Sequence, residues 1–80
     1  MKKRTRDIDI SKLIKFGCNL CAERNRAGLS QDGLGNLINK TGTYIGKIER
    51  GEVNPTLTTI ILLLEALNIP FEALVKLKKD

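Results

Sequence analysis

The chain has 80 residues, 41% of them apolar and 29% charged, which fits one small folded domain and argues against a second domain or wholesale disorder. Lys and Arg outnumber Asp and Glu by 14 to 9, for a formal net charge of +5, and this favours a polyanionic partner, most often nucleic acid. Because the chain contains no His, it cannot assemble a Ser-His-Asp or Cys-His catalytic centre or a His-ligated metal site, so we expect no enzyme, no cofactor and no metal.

Residues 1–7 are polar and strongly basic, and we expect a flexible arm there, ahead of a single domain over residues 8–80. Such an arm could enter a DNA minor groove or follow phosphates, or it could be a solubilising tail. No apolar run approaches the roughly 20 residues that span a bilayer. The start also lacks the apolar segment of about 7–15 residues and the cleavage site of a secretory signal. We therefore expect a cytoplasmic protein with no membrane partner.

The first helix is predicted to begin after Ile8, with Asp9 as its N-cap, and to run to Ala27, where Gly28 stops it. At about 100° per residue, one face of this helix forms the main core face. That face comprises Leu13, Phe16, Gly17, Leu20, Arg24 and Ala27. A second apolar stripe comprises Ile10, Ile14, Cys18 and Cys21. The helix is therefore predicted to pack on two sides.

Two short helices joined by a tight turn come next. Ser30 is the predicted N-cap of the second helix, which covers residues 31–38, and Asn39 ends it in the left-handed conformation. Thr41 caps a third helix that reaches Arg50 and is closed by Gly51. The apolar contacts of the second helix are Leu34, Leu37 and Ile38.

A fourth helix is predicted between its N-cap Thr56 and its end at Asn68, and Pro70 opens a fifth. The apolar face of the fourth helix has the i, i+3, i+4, i+7 spacing of a core-facing helix. It comprises Leu57, Ile60, Ile61, Leu64 and Leu67. The fifth helix carries Phe71, Leu74, Val75 and Leu77. No β pattern competes anywhere, so the chain is predicted to be all-α.

The second and third helices are short and are joined by a tight turn, and the third is polar on its outer face. This arrangement is typical of a helix-turn-helix motif. From Leu20 to Leu77 the sequence resembles the lambda repressor and Cro type of helix-turn-helix domain, the Xre family. The matching residues are Arg24, Gly28-Leu29-Ser30-Gln31, Leu34, Tyr44-Ile45, Lys47-Ile48-Glu49-Arg50-Gly51, Asn54-Pro55 and Ala66-Leu67-Asn68-Ile69. The resemblance implies a five-helix lambda-repressor-like fold in which helices 2 and 3 form the DNA-binding motif.

The spacing of apolar residues agrees with that motif. Ile45 and Ile48 must face inward to seat the third helix on the second. Leu34 and Ile38 are predicted to receive them. Position 35 must be small because the two helices cross closely there, and this sequence has Gly35 where the family usually has alanine.

The outer face of the third helix is free to meet a DNA groove and comprises Thr43, Tyr44, Gly46, Lys47 and Arg50. The resemblance implies four base-reading positions, namely Thr41, Gly42, Thr43 and Lys47. Lys47 can donate to guanine, and Thr43 can hydrogen-bond a base edge or contact the thymine methyl. Gly42, without a side chain, either lets the backbone approach closely or is a lost contact.

Four further residues are assigned to the phosphate backbone, namely Gln31, Tyr44, Arg50 and Lys40. Gln31 begins the second helix, whose free N–H groups suit a phosphate, although it could simply be solvated. Lys40 stands where the family normally buries an aliphatic residue, so its stem could lie on apolar surface while its ammonium reaches solvent or phosphate.

The family pattern pairs Arg24 with Glu49 in a partly buried salt bridge, which we assign to structure. Cys18 and Cys21 have a C-x-x-C spacing that could indicate a redox pair or half of a zinc site. Two cysteines in the middle of a helix, without further Cys or His residues, are weak evidence for a redox or zinc site. We therefore favour a packing role for both side chains.

Surplus apolar surface on the last two helices indicates a symmetric homodimer. The residues assigned to this interface are Leu62, Leu63, Phe71 and Leu74. Ordinary burial under the C-terminal segment is the competing explanation.

Together these features predict a sequence-specific, double-stranded-DNA-binding regulator of transcription, acting as a homodimer on an inverted repeat with half-sites about one helical turn apart. Family members of this size include phage repressors, restriction–modification controller proteins and antitoxins. The alternative is an antitoxin-like interaction module that binds a protein partner, such as a toxin or RNA polymerase, through the last two helices, with DNA binding secondary.

Overall fold

The computed structural model describes residues 5–76, with side chains from residue 10 onward. The elements are α1 (Thr5–Arg26), α2 (Gln31–Leu37), α3 (Gly42–Glu49), α4 (Leu57–Leu67) and α5 (Phe71–Leu74). The five-helix, all-α prediction is confirmed. The basic side chains of residues 1–7 and Leu77 lie outside this description. Within it, no helix is long and apolar enough to cross a membrane.

The first helix begins earlier than predicted. Its backbone is helical from Thr5, so Asp9 lies inside the helix and is not its N-cap. The physical reason is that no Gly or Pro interrupts residues 5–9, so nothing in that stretch stops the backbone from continuing the helix towards the N-terminus. The other end is close to its predicted place, because Gly28 has a φ of 74° and the Leu29 N–H donates to the Arg24 carbonyl at 3.1 Å.

Local capping chemistry sets the ends of the next three helices as predicted. Ser30 Oγ accepts from the Gly33 N–H at 2.9 Å, and Thr41 Oγ1 accepts from the Tyr44 N–H at 3.0 Å. Thr56 Oγ1 does the same for α4, accepting from the Thr59 N–H at 3.2 Å. Asn39 and Asn68, with φ of 59° and 54°, end α2 and α4 in the left-handed region. Pro70 precedes α5 as its N-cap and gives no side-chain hydrogen bond.

One hydrophobic core joins all five helices. Its nine buried side chains are Phe16, Leu20, Leu34, Ile38, Ile45, Ile48, Leu63, Leu67 and Leu74. The prediction that Ile45 and Ile48 seat α3 on α2 is confirmed, since both are fully buried with Leu34. On α1 the main core face is also as predicted at Phe16, but Ala27, at its end, is exposed.

The prediction that α1 packs on two sides is wrong within the described part of the chain. Ile10, Ile14 and Cys18 are exposed and Cys21 is half-buried. The reason is that α3 and α5 pack against α1 on its main core face, where Phe16, Gly17 and Leu20 are buried, so the second stripe receives no neighbouring helix in the described part of the chain. Leu37, predicted as a core contact of α2, is likewise exposed.

The fourth helix is rotated relative to the predicted face. Its buried residues are Thr59, Leu63 and Leu67, whereas Leu57 is 67% and Ile61 45% exposed. Thr59 can be buried because its hydroxyl accepts a hydrogen bond from Thr56 Oγ1 at 3.1 Å.

Two residues assigned to a dimer interface, Leu63 and Leu74, are instead core residues with 0% and 1% exposure. They lie on the faces of α4 and α5 that close the core over α1 and α2, so they cannot contact a second protomer. That part of the interface prediction is wrong. Leu62 is half-buried and Phe71 is exposed.

Two glycines allow close approach between elements. A Cβ at Gly17 would overlap the carbonyl oxygens of Ile48 and Glu49, so α1 crosses the end of α3 in backbone contact. A Cβ at Gly35 would lie 2.7 Å from the Lys40 carbonyl oxygen. This confirms that position 35 must be small, with the turn backbone as the close neighbour.

Candidate nucleic-acid interface

The outward face of α3 presents the side chains that sequence analysis assigned to base reading. Thr43 and Lys47 are exposed one helical turn apart, and the cap residue Thr41 is exposed beside them. The opposite face is anchored, because Ile45 and Ile48 are 0% and 1% exposed. A buried inner face fixes the direction in which the outer side chains point. The arrangement is a short, rigid helix with a polar face open to solvent.

Two glycines assigned to this face are buried instead. Gly42 lies directly against Asp32 of α2, and a Cβ there would overlap the Asp32 carboxylate and lie 2.8 Å from its main-chain nitrogen. Gly46 lies under two long side chains, since a Cβ would be 3.1 Å from Arg50 Nη1 and 3.3 Å from Gln31 Nε2. The prediction that Gly46 is free to meet a groove is therefore wrong, and both glycines serve the packing of α3.

Behind the polar face lies the ion pair that the family resemblance implied. Arg24 Nε donates to Glu49 Oε2 at 2.6 Å and Arg24 Nη2 donates to Oε1 at 3.1 Å. Their side chains are only 11% and 7% exposed. A third donor of the guanidinium, Nη1, contacts the Leu29 carbonyl at 2.9 Å. This planar, two-bond geometry is the strong form of the Arg–carboxylate interaction, and it ties α1 to the last residue of α3.

Protonation of the pair follows from these contacts. Burial disfavours the charged carboxylate, but the hydrogen bonds from Arg24 and Gln31 outweigh it and hold the pKa of Glu49 below its ordinary value. The hydrogen bond to Glu49 raises the pKa of Arg24 against the opposing effect of its own burial. Both groups are therefore charged at neutral pH.

Gln31 is joined to this pair. Its Nε2 donates to Glu49 Oε1 at 3.1 Å, and the residue is half-buried. The side chain assigned to phosphate is thus held in one orientation by the carboxylate behind it, with a second amide N–H left for another acceptor.

Arg50 and Lys40 place positive charge at the two ends of α3. Arg50 Nε donates to Glu52 Oε2 at 2.7 Å, and both side chains are more than half exposed. The hydrogen bond raises the pKa of Arg50 and lowers the pKa of Glu52. Lys40 Nζ lies 5.4 Å from the centroid of the Tyr44 ring, a cation–π distance. Lys40 is exposed, and its ammonium lies over the Tyr44 ring, beside the turn.

Sequence analysis missed the polar contacts of two residues, Asn19 and Cys21. Asn19 Nδ2 donates to the Leu74 carbonyl at 2.9 Å, tying α1 to the end of α5. Cys21 Sγ accepts from Arg24 Nη2 at 3.6 Å and from Asn25 Nδ2 at 3.5 Å, so this thiol packs beside the ion pair. Cys18 is exposed, and both thiols are free. No spacing in the sequence marks Asn19, because its partner is a main-chain atom 55 residues away.

Comparison with known proteins gives similarities of three kinds. A family model described as "Helix-turn-helix" matches residues 22–74. Control protein C.SmaI of Serratia marcescens is 46% identical over 61 residues, which are 76% of this chain and 70% of that protein. The crystal structure of the restriction-modification controller protein C.AhdI from Aeromonas hydrophila matches with a TM-score of 0.76 and 39% identity, over 80% of this chain and 97% of that one.

Proposed function

Because the chain belongs to the helix-turn-helix family, we propose that it is a sequence-specific regulator of transcription of the restriction–modification controller type, acting on double-stranded DNA. The Xre-type resemblance is confirmed, and the family is one of DNA-binding regulators. The controller assignment is supported by the names of two relatives, C.SmaI and C.AhdI, that cover most of this chain.

The observation that carries the proposal is the polar outer face of α3 above a fully buried inner face. The helix has eight residues and is therefore about 12 Å long, a size that enters the major groove. In the proposed complex Lys47 donates to guanine O6 or N7, and Thr41 and Thr43 hydrogen-bond neighbouring base edges. Gly42, which is buried against Asp32, presents no side chain to the duplex.

Phosphate contacts from both sides of that face would fix its register in the groove. Gln31 donates from the start of α2, in the orientation that Glu49 gives it. Arg50 exchanges part of its contact with Glu52 for a phosphate oxygen. The exchange costs little free energy because the Arg50–Glu52 ion pair is exposed to solvent. Tyr44 and Lys40, which stack on one another, act together at the turn. The net charge of +5 supplies the long-range attraction.

We further propose a symmetric homodimer formed through α4 and α5, which would require an inverted-repeat operator. Exposed apolar side chains support this assignment. They are Leu57 and Ile61 on α4 and Phe71 on α5, with half-buried Leu62 beside them. Leu62 and Phe71 keep their assigned role, and Ile61 joins them in place of the two core leucines.

Selection from a random pool of double-stranded DNA at physiological salt tests the proposal. We expect enrichment of an inverted repeat whose half-sites are about 10 bp apart. The enriched sequence should also occur upstream of the gene that encodes the protein. If the protein instead binds every sequence equally and loses that binding on a modest increase in salt, the binding reflects charge alone. That result would refute sequence-specific regulation.

A further inference from the structure

The carboxylate of Asp32 occupies the space in which the first side chain of α3 would begin. Of all neighbouring atoms, Asp32 Oδ1 is the closest to the position of a Cβ on Gly42. Asp32 is the second residue of α2, so this acidic group reaches the start of α3 from the adjacent helix. Gly42 makes the contact possible, since any larger residue would displace the carboxylate.

The acceptor oxygens of Asp32 are available to a ligand. The residue is exposed. The ion pairs among the residues with described side chains join Arg24 to Glu49, Arg26 to Glu23 and Arg50 to Glu52. None of these pairs includes Asp32, so no cation within that part of the chain neutralises it.

We propose that Asp32 is a specificity-determining residue that reads a base in place of the side chain missing at Gly42. This inference rests on the proposed function, in which the start of α3 faces the major groove. A carboxylate only accepts hydrogen bonds, and the cytosine N4 amino group is the donor that Asp and Glu read there. Guanine O6 and N7 and thymine O4 are acceptors, which a carboxylate repels, and the adenine N6 donor lies beside the N7 acceptor, which the carboxylate also repels. Asp32 therefore selects cytosine at one base pair of each half-site.

The test compares base preferences of the intact chain and of two Asp32 variants in the same DNA selection. Asp32→Asn keeps the shape but presents both a donor and an acceptor, which match adenine N7 and N6. We expect its preference at that one base pair to move from cytosine to adenine, and its affinity for the original site to fall at least about fivefold. Asp32→Ala should lose the preference at that base pair and keep the others.

Glu23→Gln is the matched control, because it removes one acidic charge from α1, outside the outer face of α3 and outside the proposed dimer surface on α4 and α5. It should leave every base preference unchanged. Thermal unfolding of each variant accompanies the selection, since a carboxylate beside helix N-termini also stabilises them through the helix dipole.

If Asp32 acts only on stability or net charge, Asp32→Asn will change its affinity for all sequences in parallel and its base preferences will match those of the intact chain. That result overturns the inference and leaves the proposed function standing. If the intact chain enriches no sequence, the proposed function fails and the inference fails with it.

Discussion

Arg24 and Glu49 are joined by two parallel hydrogen bonds, of 2.6 and 3.1 Å, that connect the end of α1 to the last residue of α3. The same carboxylate accepts from Gln31 at the start of α2. One acidic side chain therefore links three helices directly behind the proposed DNA-binding face. Its loss should affect both the stability of the domain and the orientation of that face.

Removing one partner of this pair leaves the other charge buried without compensation. We expect Arg24→Ala to lower the free energy of unfolding by about 3–5 kcal/mol, as measured by urea denaturation. Arg26→Ala is the control, since its salt bridge with Glu23 is exposed on the Arg side and should contribute less than about 1 kcal/mol. Equal losses in the two variants would contradict a structural role for the buried pair.

The lowered pKa of Glu49 makes stability depend on pH. Above the ordinary value of 4.5 the carboxylate is charged in both the folded and the unfolded states, and its stabilising contribution is fully present. As the pH falls through the lower pKa of the folded state, the unfolded state has already bound its proton and that contribution is lost. We expect the intact protein to lose more free energy of unfolding between pH 7 and pH 3 than Glu49→Gln does. Parallel pH profiles would exclude Glu49 as the source.

Backbone contact between α1 and α3 makes Gly17 sensitive to substitution. A Cβ there would overlap the carbonyl oxygens of Ile48 and Glu49, so the helices must separate. We expect Gly17→Ala to destabilise the fold by about 1–3 kcal/mol in thermal unfolding, although alanine is the better helix former. Cys18→Ala, on the exposed side of the same helix, should change stability by far less. A neutral or stabilising Gly17→Ala would show that this crossing is not tight.

The proposed dimer surface can be separated from other exposed apolar residues by a matched pair of substitutions. Ile61 on α4 and Ile14 on α1 are 45% and 46% exposed, so lysine at either position is tolerated by the fold. We expect Ile61→Lys to give a monomer and Ile14→Lys to remain a dimer in sedimentation equilibrium. A dimer in both variants, or a monomer only in Ile14→Lys, would place the interface elsewhere.

Much of the fold follows from local chemistry and could be predicted. Ser30, Thr41 and Thr56 cap their helices because a hydroxyl two or three residues before free N–H groups satisfies them wherever the helix lies. The seating of Ile45 and Ile48 was predictable too, since α3 has only two large aliphatic residues and both lie on one side.

The orientation of α4 could not be predicted in the same way. From Ile60 to Leu64 every residue is aliphatic, so periodicity does not distinguish one face from another. The face that α4 buries depends instead on its packing against α2, which leaves Leu63 buried and Ile61 exposed. The contact between Asp32 and Gly42 was unpredictable for a related reason, because it depends on how closely two helices approach.

Lys47 tests base reading by α3 most directly, because it is exposed on the outer face of α3 and is assigned to a guanine. The measurement is the affinity of the intact chain and of Lys47→Ala for the selected operator and for random duplex at the same salt concentration. Lys15→Ala on α1 serves as the charge-matched control. We expect a loss of about 1–3 kcal/mol on the operator, with relaxed selectivity at one base pair and little change on random duplex. An equal loss on both duplexes would contradict base reading by α3.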